Sequence, residues 1–137
     1  VDATFGSDVP NPNLAGNRIP FSSEWLGNVG GTYSWDIGSS GFSMYAHADV
    51  FFRSEYDLDT NLATGDIQDG FQIVNARLGL RSGGPWEASI FCRNCFDERY
   101  LMSTFGIPID GGGNFTDSRL GFVGEPQFYG ISVGVDF

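Results

Sequence analysis

The chain has 137 residues, enough for no more than one ordinary domain. A formal net charge of -10, with Lys plus Arg at only 7, excludes the basic surface that nucleic-acid phosphates require. Gly numbers 20, aromatics reach 15%, and no apolar run approaches the ~20 residues of a membrane helix, so β-structure with tight turns is expected.

Val1-Asp2-Ala3-Thr4 reads as the end of a strand, so the chain is expected to begin in mid-structure. A polar connection, Gly6–Ser23, follows. Period-2 alternation then predicts a strand over Glu24–Ile37. Trp25, Val29, Tyr33, Trp35 and Ile37 share its apolar face, and Asn28, Thr32, Ser34 and Asp36 share the other. After Gly38–Gly41 the pattern predicts a second strand, Phe42–Tyr56, with Phe42, Met44, Ala46, Ala48, Val50 and Phe52 on the apolar side. Pairing Ile37 with Phe42 keeps apolar residues opposite apolar residues throughout.

The stretch Asp57–Asp69 reads as a long loop. A third strand is predicted over Gly70–Arg81, with Val74, Ala76, Leu78 and Leu80 opposed to Asn75, Arg77 and Arg81. A fourth, Trp86–Cys95, places Trp86, Ala88, Ile90 and Cys92 on the apolar face. Even positions are apolar on both, so the turn must hold an odd number of residues. A three-residue loop at Ser82–Gly84 satisfies this. Thr104–Gly124 reads as another long loop, and Gln127–Phe137 as the last strand, with Tyr129, Ile131, Val133, Val135 and Phe137 on one face.

Tight turns thus alternate with long Gly/Asp/Asn-rich connections, the arrangement of an outer-membrane barrel. Trp25 and Trp35 lie ten residues apart on one face, as do Phe42 and Phe52. Ten residues tilted by ~40° rise about 25 Å, the height of the lipid-facing band between two aromatic girdles. The expected girdle is Trp25, Trp35, Phe42, Phe52, Trp86, Tyr129 and Phe137.

Four segments resemble TonB-dependent outer-membrane receptors. Leu14-Ala15-Gly16-Asn17-Arg18-Ile19-Pro20 followed by Trp25 resembles their approach to a late strand. Asn75-Ala76-Arg77-Leu78-Gly79-Leu80-Arg81 resembles one of their late strands. Trp86-Glu87 with Arg93-Asn94-Cys95-Phe96-Asp97-Glu98-Arg99-Tyr100 is similar to the segment that follows. Gly124-Glu125-Pro126-Gln127-Phe128-Tyr129-Gly130 is similar to the opening of the final strand. Cys92 and Gln127 depart from the residues usual there. The resemblance implies an all-β antiparallel meander of long strands, about five plus the end of a sixth, from a transmembrane barrel and not closed on its own. It also implies a share in active uptake of a scarce nutrient of the siderophore, cofactor or oligosaccharide class. The implied partners are outer-membrane lipid, the rest of the barrel and its plug, and an energy-coupling periplasmic protein reached through an N-terminal part.

On the polar face, His47, Asp49, Arg53, Arg77, Arg81, Glu87 and Arg93 would face the lumen, as a wall of mutual ion pairs or a contact for plug or anionic substrate. No nucleophile–base pair stands at catalytic spacing, so no enzyme is expected. Asp57, Asp59, Asn61 and Asp66 begin like a calcium loop, but Leu62 occupies the sixth position, where the turn needs Gly, so a solvated loop is the better reading. No other cofactor is implied. Cys92 and Cys95 fit neither a four-ligand zinc site nor a strand-to-helix redox pair. In an extended strand their Cα atoms would stand roughly 10 Å apart, which predicts that they are unpaired. Two other readings stay open. One is an extracellular filament assembled edge to edge, and the other is a soluble β-sandwich binding module.

Overall fold

The structure, a computed structural model, describes residues 19–58, 67–106 and 119–135. These form nine strands and no helix: β1 Leu26–Ile37, β2 Phe42–Arg53, β3 Tyr56–Asp57, β4 Ile67–Gln68, β5 Phe71–Ser82, β6 Trp86–Arg93, β7 Leu101–Gly106, β8 Arg119–Val123 and β9 Phe128–Val135. The main sheet has the order β1-β2-β5-β6-β9, with every neighbouring pair antiparallel. It is an all-β meander with two open edges. The expected end of a sixth strand at Val1–Thr4 lies outside the described residues.

The hairpin between β1 and β2 closes as the alternation requires. Ile37 stands opposite Phe42, and the pairing runs without slip to Leu26 opposite Arg53. Gly38 and Gly41 supply φ of 54° and 73°, left-handed values that a side chain disfavours. Between β5 and β6, Arg81 stands opposite Glu87. The odd loop count is confirmed, but its three residues are Gly83, Gly84 and Pro85, one position later than expected. Ser82 stays in the strand and its Oγ accepts from the backbone N–H of Trp86 at 3.2 Å.

The registers fix the faces. Tyr33, Ala46, Leu78, Ile90 and Ile131 form one row across all five strands. Thr32, His47, Arg77, Phe91 and Gly130 form the adjacent row on the opposite face. The apolar face is bare. Ile131 is 78% exposed, Tyr33 71% and Val29 69%. Nothing among the described residues packs over them.

The core sits elsewhere, on the polar face at the long-loop end. Tyr56, Leu58 and Phe71 are buried there, with Phe51, Ile73, Tyr100 and Leu101 packed around them. Phe71 stacks on Tyr100 with ring centroids 4.2 Å apart. This core depends on structure that alternation did not predict. The Asp57–Asp69 connection carries the small hairpin β3–β4, and Thr104–Gly124 continues the ribbon β7–β8. The expected second strand, Phe42–Tyr56, accordingly breaks at Arg53, and Tyr56 starts the new hairpin. The first and fourth strands are also shorter than expected, at Leu26–Ile37 and Trp86–Arg93.

The cysteine expectation is overturned. Cys92 and Cys95 form a disulfide, with Cα atoms 5.5 Å apart. The reason is where β6 stops. It ends at Arg93, and Asn94 takes a left-handed φ of 46° that curls the chain back. Cys92 pairs with Ala76, yet the Cys95 N–H reaches the Val74 carbonyl at 2.8 Å, one residue out of register. The extended spacing that would keep the two apart ends at that point.

Candidate functional site

The polar face of the main sheet carries the chemistry, in three clusters. Near the short turns, Tyr45 is buried because the opposing residue is Gly79. A Cβ on Gly79 would fall inside the tyrosine ring, so the ring lies flat across the neighbouring strand. That position aims the phenol at Glu87, to which it donates at 2.7 Å. The other Glu87 oxygen accepts from Arg81 Nε at 2.9 Å, and the Arg81 guanidinium carbon lies 4.4 Å from the Tyr45 ring centroid. Three strands are bound into one closed ion-pair cluster.

The middle of the face carries a polar chain. Thr32 Oγ1 and His47 Nδ1 are 2.8 Å apart. His47 Nε2 lies 3.5 Å from Asp49, and Asp49 accepts from Asn75 Nδ2 at 2.8 Å. Asn75 Oδ1 in turn accepts from the backbone N–H of Asn94 at 3.0 Å. Beside this chain, Arg77 lies over the Phe91 ring at 5.2 Å, and Phe91 lies over Gly130 as Tyr45 does over Gly79.

At the long-loop end stands a knot centred on Asn94. Asn94 is 2% exposed. Its Nδ2 donates to the carbonyls of Glu98 and Glu125 at 2.8 and 3.0 Å, and its Oδ1 accepts from the Glu98 N–H at 2.9 Å. Both amide ends are therefore satisfied, as a buried amide requires. Gln127 Nε2 donates to the Cys95 carbonyl at 2.6 Å, Arg93 pairs with Glu125 at 3.4 Å, and the Gly124 N–H donates to the Tyr100 carbonyl at 2.8 Å. Arg53 closes the other corner, with its guanidinium carbon 3.5 Å from the Tyr56 ring centroid and Nε donating to Ser23 at 3.1 Å. Burial pushes the Tyr56 hydroxyl above its ordinary pKa, the nearby Arg53 charge works against that, and Tyr100 adds to it. The phenol donates to the Leu101 carbonyl.

The expected lumen-facing set, His47, Asp49, Arg53, Arg77, Arg81, Glu87 and Arg93, therefore lies on one face, but in three clusters, the middle one joined to the loop-end knot through Asn75 and Asn94. The expected girdle residues Trp35, Phe42, Phe52 and Trp86 share the opposite face with Tyr129. Trp25 joins them just ahead of β1, where its N–H donates to Ser54 Oγ. Phe137 lies outside the described residues, as do Asp59, Asn61 and Asp66. Asp57 is in β3, and no group of three or more His, Cys, Asp or Glu able to hold a metal exists among the described residues. Asn94 is the organising residue of the loop end that alternation missed. Its signal was its place in a segment that resembles the receptors, beside a cysteine. No family model matches the chain, and no curated protein or solved structure matches it.

Proposed function

We propose that this chain is part of the wall of an outer-membrane β-barrel of the TonB-dependent receptor type, contributing to active uptake of a scarce nutrient. The observation that carries the reading is a five-stranded sheet whose apolar face is left uncovered by the described residues while its polar face is laced with hydrogen bonds and ion pairs. A soluble monomer rarely exposes a contiguous apolar patch above a few hundred Å². This face presents Trp25, Val29, Tyr33, Trp86, Ile90, Tyr129, Ile131 and Val133, each more than half exposed. Aromatics at about 150–250 Å² each take it well past that limit. Lipid is the medium that accepts such a face, and a water-filled lumen accepts the other. The tight turns at one end and the long connections at the other agree with that orientation. The Asn75, Asn94 and Gln127 contacts tie together three of the segments that resemble the receptors, which supports the same reading. Nutrient class stays with the receptor resemblance.

Sedimentation with and without detergent tests it. The expected result is a folded species only with detergent or lipid. A single folded species of 14.9 kDa in plain buffer would defeat the proposal and leave the sandwich reading. The open edges at β1 and β9 favour a second reading, edge-to-edge assembly, and electron microscopy of the detergent-free sample would show it as filaments.

A further inference from the structure

We infer that, if the polar face lines a lumen as proposed above, Arg77 is the anchor of a binding site for a small carboxylate-bearing ligand with an apolar body. The polar-face arginines differ in one respect. Arg53 has Ser23, the Phe21 carbonyl and the Tyr56 ring; Arg81 has Glu87 and Tyr45; Arg93 has Glu125. Arg77 has no carboxylate within ion-pair distance and no hydrogen-bond acceptor among the described residues. Its cross-strand neighbours are His47 and Phe91, which supply no negative charge.

The acidic groups of this face are already engaged: Glu87, which feels the Arg77 charge, is held by Tyr45 and Arg81. Asp49 is held by Asn75 and His47, and Glu125 by Arg93. Arg77 is also held in place. Gly130 lets the Phe91 ring lie flat, and the guanidinium rests 5.2 Å above that ring. A guanidinium supported on an aromatic face keeps its planar fork of N–H donors, which matches a carboxylate in two-point contact. It borders a concavity of about 470 Å³ shared with Asn75 and Arg93, with the engaged carboxylates of Asp49 and Glu125, and with the apolar Phe51 and Ile73. A cavity of that size, with convergent polar groups and an apolar flank, suits a small ligand. The carboxylate would sit on Arg77, and the apolar body would lie toward Phe51 and Ile73.

The test uses the protein purified in detergent, with 4-fluorobenzoate as the probe and 4-fluorobenzamide as its uncharged control, both followed by fluorine NMR line width. The carboxylate line is expected to broaden and the amide line to stay sharp. Arg77→Met keeps a stem to cover Phe91 and should weaken carboxylate binding by roughly tenfold or more, the loss of a charge-assisted hydrogen bond. Arg77→Lys should restore part of it. Equal broadening by the amide, equal binding by Arg77→Met, or no broadening in the wild type would each overturn the site. A separate variant, Arg77→Cys, reports on the lumen itself. If a water-soluble thiol reagent modifies it in the membrane-embedded protein, the lumen reading stands whatever the probe does. If the embedded protein is folded and unreactive there, the lumen reading fails, and the site with it.

Discussion

The middle of the sheet and its long-loop end are held by different means. In the middle, the row of Tyr33, Ala46, Leu78, Ile90 and Ile131 has backbone ladders and cross-strand neighbours but no layer above it among the described residues. At the loop end, Tyr56, Leu58 and Phe71 are buried, and Asn94 bridges segments 31 residues apart in sequence. The first region leaves its apolar free energy to the surrounding medium. The second carries its own core and its own polar closure. A sheet built this way should respond to its solvent in the middle and to its own side chains at the end.

The largest effect should come from charging the middle. Ile131→Arg is expected to cost about 2–4 kcal/mol in a lipid bilayer, where the proposed reading turns this exposed side chain toward hydrocarbon. Ser132→Arg, one residue on and facing the other way, should cost far less. Urea unfolding from lipid vesicles measures both, and equal costs would erase the difference between the faces. Next, Asn94→Ala should cost about 2–3 kcal/mol, since it strands the Glu98 N–H and two carbonyls and puts alanine at a left-handed φ that asparagine tolerates better. Asn94→Gly keeps the backbone geometry and loses the bonds, so it should fall between. Limited proteolysis near Glu98 and Glu125 should accelerate in both, while the middle of the sheet keeps its hydrogen-exchange protection.

A smaller loss is expected from Cys92→Ser with Cys95→Ser. Closing so short a loop constrains the unfolded chain by about 2 kcal/mol. Thermal melting in detergent checks it, and an unchanged melting temperature would show that Asn94 alone holds the turn. The smallest effect is at alkaline pH. Burial raises the folded-state pKa of Tyr56 above its ordinary value of 10.0, so the neutral phenol stabilises the fold. That contribution is whole below pH ~10 and is lost as pH rises through the folded-state value. Tyr56→Phe should remove the alkaline decline at the loop end, read by tyrosine absorbance and proteolysis together.

Much of the middle could be read from the residues. Ile37 opposite Phe42 followed from matching two alternating patterns, because a slip by one residue would reverse every face. The loop end resisted such reading for two reasons. Phe51, Phe71 and Ile73 are apolar residues on the polar face, an exception visible in the pattern but without meaning until β3 and β7 supply Tyr56 and Leu101. The disulfide depends on the left-handed backbone at Asn94, which depends on carbonyls at Glu98 and Glu125. Periodicity reports neighbours two residues apart and is silent about partners thirty residues away. The three clusters on the polar face show the same limit. Parity placed their residues on one side, while the grouping came from Gly79 and Gly130, where a missing side chain lets a ring cross to the next strand.

The order β1-β2-β5-β6-β9 has a directional consequence. Five antiparallel strands alternate up and down, so the two edges, β1 and β9, point the same way. Copies joined head to tail, β9 to β1, would meet in a parallel seam at every junction. A parallel ladder has slanted bonds and is slightly less stable per residue. Two-fold joints, β1 to β1 or β9 to β9, would keep the antiparallel pattern but alternate the ends of successive copies, putting short turns beside long loops. Only an odd number of further strands closes this sheet into a ring in which every neighbour is antiparallel and all the short turns lie on one rim.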